Sequence, residues 1–221
     1  MNKKFTIFGS SSACCFENLF PNTYKYQAST AKGLNNINSR SNVNEKICNI
    51  IDLLSENSDI IFFFGEVDLS FVINYKFNKN NKFNCEKYII EAAEHYVNFV
   101  KKNTENMNIY ICEVPISHVK DQFLIKIINS YKKQKIDSWE QSINPKVIPH
   151  KIRNQYILLF NSELERLCKI NDFKFLEINK YFKNSLGHYK IPLKYIKKNI
   201  LDHHLKNNIV ELYLNSLKIL K

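Results

Sequence analysis

What most limits the fold of this chain is the alternation of short apolar runs with longer amphipathic ones. The runs 4–8 (KFTIF), 59–65 (DIIFFFG), 107–114 (MNIYICEV) and 173–178 (FKFLEI) are too short and too apolar for helices. They have the length and β-branched or aromatic content of strands buried on both faces. Between them lie helical patterns at 43–56, 85–102, 120–133 and 150–170, and a terminal one at 204–220. In the first of these, Ile47, Ile50, Ile51 and Leu54 fall on one face; in the last, the stripe is Leu205, Ile209, Leu212, Leu217 and Leu220. A fifth, weaker strand pattern covers 24–28. Strands separated by helices of this length imply right-handed crossovers and a parallel sheet covered on both faces. The expected architecture is a three-layer α/β/α sandwich with about five strands, formed by one domain over 1–221. The stretch 137–150, with two prolines and the single Trp, reads as a long loop that could act as a lid or touch substrate.

Composition narrows the function classes. The formal charge is +11, which raises the question of nucleic acid. Yet Lys, Asn and Ile are abundant throughout, and the lysines are scattered in pairs such as Lys132-Lys133 and Lys197-Lys198, with no dense basic block. No specific nucleic-acid partner is expected. The six cysteines (14, 15, 48, 85, 112 and 168) form no CxxC pair and have no His at zinc spacing, so they read as reduced core residues. Neither a metal nor an organic cofactor is implied. The longest apolar run, 60–64, is far too short to span a bilayer, and the amino terminus lacks the apolar core of a signal peptide. The expected location is the cytoplasm.

Open α/β sheets bind ligands beyond the carboxyl ends of their strands. Gly9-Ser10-Ser11 follows the first strand, Gly65-Glu66-Val67-Asp68 follows the 59–64 run, and Leu201-Asp202-His203-His204-Leu205 precedes the last helix. Only four glycines occur in the chain, and two of them stand at these strand ends. A serine hydroxyl becomes a useful nucleophile when a histidine takes its proton and a carboxylate fixes that histidine's tautomer. Asp202 and His204 could both come from one short segment.

These segments, in this order, resemble the SGNH/GDSL hydrolase family. "GSS" (9–11) is similar to the family's Gly-Asp-Ser, with Ser10 in place of Asp, which makes Ser11 the candidate nucleophile. "AKGL" (31–34) supplies Gly33 in the position of an oxyanion-hole glycine. "FGEVD" (64–68) is similar to Gly-x-Asn-Asp, with Val67 replacing Asn, and "LDHHL" (201–205) stands where Asp-x-x-His is expected, one residue closer in spacing. The resemblance implies a serine esterase or O-acyltransferase. Ser11 would attack an ester carbonyl, His204 would act as base and Asp202 as its orienting acid, with the amides of Ser11 and Gly33 holding the oxyanion. The implied substrate is a small acyl ester, such as an O-acetylated glycan. Glu66, Asp68, His118 and Arg153 are further candidates for touching substrate. For Glu66 and Asp68 the alternative is fixing their own loop, and for Arg153 it is a place on the surface. Two rival functions stand beside this one. One is a non-catalytic protein of the same fold that binds or assembles glycan; the other is a basic nucleic-acid-binding domain.

Overall fold

The computed structural model describes residues 4–36, 42–80, 82–133, 146–199 and 202–218. Strands form at the apolar runs. They are β1 (Phe5–Ser10), β2 (Thr23–Tyr26), β3 (Asp59–Phe63), β4 (Asn108–Cys112) and β5 (Lys174–Leu176). All pair in parallel, in the order β2-β1-β3-β4-β5. After β2 the chain returns past β1 to continue on its other side, so the switch in strand order falls between β1 and β3. Neighbouring crossovers diverge there, leaving a crevice at the carboxyl ends.

Alternation along the strands feeds two cores. Phe8, Ile60, Phe62, Ile109 and Ile111 face one side, under helices α1 (Val43–Ile51), α3 (Cys85–Asn103) and α5 (His150–Ile170). Phe5, Ile7, Ile61, Phe63, Tyr110 and Cys112 face the other. That second side is covered by short 3-10 turns, including Ser11–Phe16, and by α6 (Val210–Lys218). The coverage is unequal: one face has the 19- and 21-residue helices α3 and α5 beside the short α1, the other has turns and the nine-residue α6. The longest stripe belongs to α3, where Ile89, Ala92, Ala93, Tyr96, Val97 and Val100 are buried. Its start is fixed by the Asn84 side chain, which accepts the Lys87 amide at 2.9 Å.

Several boundaries differ from the sequence reading. Helix α1 stops at Ile51 rather than 56, and the chain leaves it through turns that place Asn57 at φ +63°. The terminal helix begins at Val210, not 204. Leu205 instead forms a β-bridge with Ile196, and a 3-10 turn at Asn207–Ile209 comes first. Leu220 lies outside the described residues. A helical stretch was missed altogether: a π-turn at Asp68–Val72 runs into α2 (Ile73–Lys79), ahead of α3. Asparagines and lysines at 74–82 obscure its periodicity. The remaining helix, α4 (Asp121–Lys133), packs Leu124, Ile127 and Ile128 on Phe71 and Val119. Of the loop expected at 137–150, residues 137–145, with Trp139, lie outside the described residues.

Two glycines are required by close approach. A Cβ on Gly9 would stand 2.5 Å from the Ala13 Cβ and 2.7 Å from the Phe63 carbonyl oxygen. Gly65 has φ +116°, and a Cβ there would meet the Phe160 ring at 2.5 Å. Both allow β1 and β3 to end in tight turns beside each other.

Candidate active site

The site is assembled from strand ends. Ser10 is the last residue of β1, fully buried, with its hydroxyl unpartnered. Ser11 opens the 3-10 turn, in which residues three apart eclipse one another. Ser11 and Cys14 share one side of the turn and are half-buried. Ala13 and Phe16 enter the core. Ser12 and Cys15, but not Ser11, line a cleft whose other polar lining includes Glu66, Ser70, Ser117, His118, His203 and His204. Its walls are apolar and include Phe63, Ile116, Leu205 and Ile209.

The segment before α6 brings Asp202 and His204 together. Asp202 Oδ1 lies 2.7 Å from His204 Nδ1 and also accepts the His204 amide at 3.0 Å. The carboxylate thus folds back on the residue two positions later, an arrangement natural to Asp at a turn. This answers the shortened spacing between acid and histidine. Lys197 Nζ donates to the other oxygen, Oδ2, at 2.9 Å. Burial pushes the Asp202 carboxyl up, but the hydrogen bonds from Lys197 and from the His204 amide and ring outweigh it and bring it down to about 2. The second ring nitrogen of His204, Nε2, is buried and has no hydrogen-bond partner. An imidazole held at Nδ1 with Nε2 unpartnered can take a proton from a hydroxyl delivered to it.

The remaining candidates separate. Glu66 Oε2 accepts the Ser12 hydroxyl at 3.2 Å and stands 3.8 Å from His203 Nε2. His203 stacks on His204 with ring centroids 4.0 Å apart and meets the edge of Phe71 at 5.0 Å. His118 lines the cleft, and burial brings its imidazole down to about 4, with Glu66 opposing, so it is neutral near pH 7.

Three expectations are corrected. Asp68 does not face substrate: it is fully buried and accepts the Ala31 amide at 2.6 Å and the Tyr88 hydroxyl at 3.0 Å. It ties the π-turn to the segment before Gly33. The Gly33 amide is directed at Thr30 Oγ1, 2.9 Å away, rather than into the cleft. Arg153 is neither on the surface nor free for an anion. At 1% exposure it donates to the Ile148 and Val119 carbonyls at 2.9 and 2.8 Å and pairs with Asp121 at 2.8 Å. Val67 is buried as well. The sequence reading missed Ser12, His203 and Lys197 as parts of the site. For His203 the signal was present in its adjacency to His204. For Lys197, one of a pair among many lysines, there was none.

Among the described residues, no group of three or more His, Cys, Asp or Glu is placed to hold a metal ion, and no helix is long and apolar enough to cross a membrane. No protein-family model and no curated protein matches the sequence. Solved structures do match in fold. A Bacteroides fragilis protein assigned as an acylhydrolase aligns at TM-score 0.57 and 13% identity, over 99% of this chain and 86% of its own. A GDSL-like lipase from Bacteroides thetaiotaomicron aligns at 0.56 and 12%, over 99% and 87%. An extracellular lipase from Streptomyces rimosus aligns at 0.50 and 9%, over 98% and 99%. The chain has the fold of GDSL-type hydrolases, with the central five-stranded parallel sheet expected from its sequence.

Proposed function

We propose that this protein is a serine esterase in which Ser11 forms an acyl-enzyme and the Asp202–His204 pair moves the proton. The observation that carries the reading is the 2.7 Å contact between Asp202 and His204 Nδ1, with Nε2 buried and unpartnered, in a segment packed beside the serine turn. Among the three serines, Ser10 is fully buried and Ser12 is hydrogen-bonded to Glu66. Ser11 is half-buried at the head of the turn and has no side-chain hydrogen bond among the described residues. The Cys14 thiol on its side of the turn feels the charges of Lys197 and Asp202, and the Cys15 thiol on the cleft side feels that of Lys197, so the turn as a whole lies near the pair.

In this reaction Ser11 Oγ bonds to the ester carbonyl carbon as His204 Nε2 takes its proton. Collapse expels the alcohol, which leaves with that proton, and water or a second alcohol reverses the steps on the acyl-enzyme. Asp202 stabilises the imidazolium. The Ser11 amide is the first oxyanion donor; Gly33 would have to release Thr30 to be the second, and Val67 offers no donor. Removing one such donor costs roughly 10²–10³ in kcat, so turnover of generic activated esters should be slow. The substrate we assign is a small acyl ester, such as an O-acetylated glycan, with transfer to a hydroxyl as the variant of the same chemistry. A cytoplasmic location suits six cysteines that are all unpaired.

Labelling with a fluorophosphonate tests the assignment. Wild type, Ser10→Ala and Ser12→Ala should label, and Ser11→Ala should not. Labelling that persists in Ser11→Ala but is lost in Ser12→Ala would move the nucleophile to the residue lining the cleft. No labelling of the wild type would favour the non-catalytic, glycan-binding use of the fold.

A further inference from the structure

The cleft contains a second carboxylate that the Ser–His–Asp reading does not use. Glu66 leaves the end of β3, accepts the Ser12 hydroxyl at 3.2 Å, and stands 3.8 Å from His203 Nε2. His203 is clamped between Phe71, at 5.0 Å, and His204, at 4.0 Å between centroids, and its side chain is only 7% exposed. From Glu66 the contacts run without a gap through His203 and His204 to Asp202 and Lys197. We infer that Glu66 is a positioning residue for the proposed base, acting through His203 on the charge balance of His204.

Two physical arguments lead there, both resting on the esterase reading. The first concerns charge. Asp202 is shared: one oxygen serves His204, and the other holds the Lys197 ammonium at 2.9 Å. That cation offsets part of the attraction Asp202 offers an imidazolium. Glu66 restores a negative charge on the opposite side of the histidine pair, leaving the cluster with room for one proton. The second concerns the stack. A cation on His203 would lie about one ring separation from the imidazolium forming on His204 and oppose it. Burial keeps His203 neutral, Phe71 and His204 hold its ring on either side, and the Glu66 carboxylate, 3.8 Å from Nε2, acts on it through charge rather than through a hydrogen bond. The other titratable or charged groups around the pair are His118 after β4, His150 at the head of α5, Lys197 and Asp202, and the Cys14 and Cys15 thiols on the serine turn.

The test is Glu66→Gln, which keeps shape and an acceptor oxygen but removes the charge. The acid limb of the kcat/KM profile, which reports protonation of the base in the free enzyme, should move down by about one pH unit, and the plateau should fall roughly tenfold. Glu66→Asp should restore most of the shift. A drop in rate with the acid limb unmoved would reduce Glu66 to a structural part and overturn the inference. NMR titration of the His203 imidazole decides the matter without turnover. In Glu66→Gln its midpoint should move further down, because the larger of the two carboxylate charges opposing its burial is gone and only that of Asp202 remains; an unchanged midpoint overturns the inference even if the protein hydrolyses esters. If the wild type proves inactive, the NMR arm still decides the coupling while the esterase reading falls alone. Should Glu66→Gln not fold, Glu66→Met, which needs no partner against the apolar walls, takes its place in both measurements.

Discussion

Two buried titratable side chains set opposite pH dependences on stability, and each can be read at the level of a single residue. Burial pushes the Asp68 carboxyl up to about 6, above the ~3.9 of an unfolded chain. Between those values the folded state holds a proton that the unfolded state has lost. The Asp68 contribution is therefore complete below about pH 4 and declines as pH rises through 6, by about 3 kcal/mol at pH 7. His118 behaves the other way. Burial brings it down to about 4 against ~6.5 unfolded, so its contribution is complete above about 6.5 and is lost as pH falls towards 4, by about 2 kcal/mol at pH 5. In urea titrations at pH 5 and pH 7, His118→Gln should gain about 2 kcal/mol at the lower pH relative to wild type. A variant with the wild-type pH slope would contradict this. Val67→Asn belongs to the same scale. The side chain is buried and does not line the cleft, so the amide would be stranded at a cost of about 1–3 kcal/mol with no gain in turnover. A faster Val67→Asn enzyme would show that the position reaches the oxyanion after all.

At the scale of elements, the chain after β4 is held to α5 by a row of side chains, of which Arg153 makes the most contacts. The Arg153 guanidinium reaches from the first turn of α5 to the Val119 carbonyl, Asp121 and, at 3.4 Å, the Ser117 hydroxyl, while its Nε satisfies Ile148. His150 and Asn154 of the same helix contact the Ser117 backbone, so the loop carrying His118 is anchored over a full turn. Arg153→Met leaves the Val119 and Ile148 carbonyls unpaired inside the protein. It should cost about 2–4 kcal/mol and lower the midpoint of thermal unfolding by several degrees. An unchanged midpoint would mean that water replaces the guanidinium. The anchor was not legible in the sequence, because a lone arginine at the head of an amphipathic helix has no local feature to distinguish a buried clamp from a surface charge. The Asp202–His204 pair was legible, since both partners lie within three residues and the turn chemistry of Asp explains their contact. Glu66 and Ser12 were legible as neighbours of strand ends but not as partners, because their contact spans β1 and β3.

For the whole molecule, periodicity exposed what burial on two faces demands and little else. The central runs became β3 and β4, and the long stripes became α3 and α5, since those elements bury one continuous set of side chains. The second face escaped the reading for the same reason: 3-10 turns at 11–16, 179–182 and 193–195 carry no repeat that a helical or strand pattern would register. Yet those turns carry the serines and support the Asp202–His204 segment, so the proposed chemistry rests on the less regular layer. This asymmetry has a measurable consequence. Amides of β3 and β4 are enclosed by strands on both sides and by core on both faces, so they should exchange with solvent only through global unfolding. Helix α6 is nine residues long and packs on turns, so its amides should exchange through smaller openings that release the His204 segment from the serine turn. Native-state hydrogen exchange across a denaturant series should resolve two free energies, the lower in α6 and the higher in β3, β4 and α3. Covalent capture of Ser11 by a fluorophosphonate ties substrate-like bulk across that seam and should raise the lower value while leaving the higher one in place. Equal protection of α6 and the central strands before labelling would show that the two layers open as one unit and would remove the basis for this division.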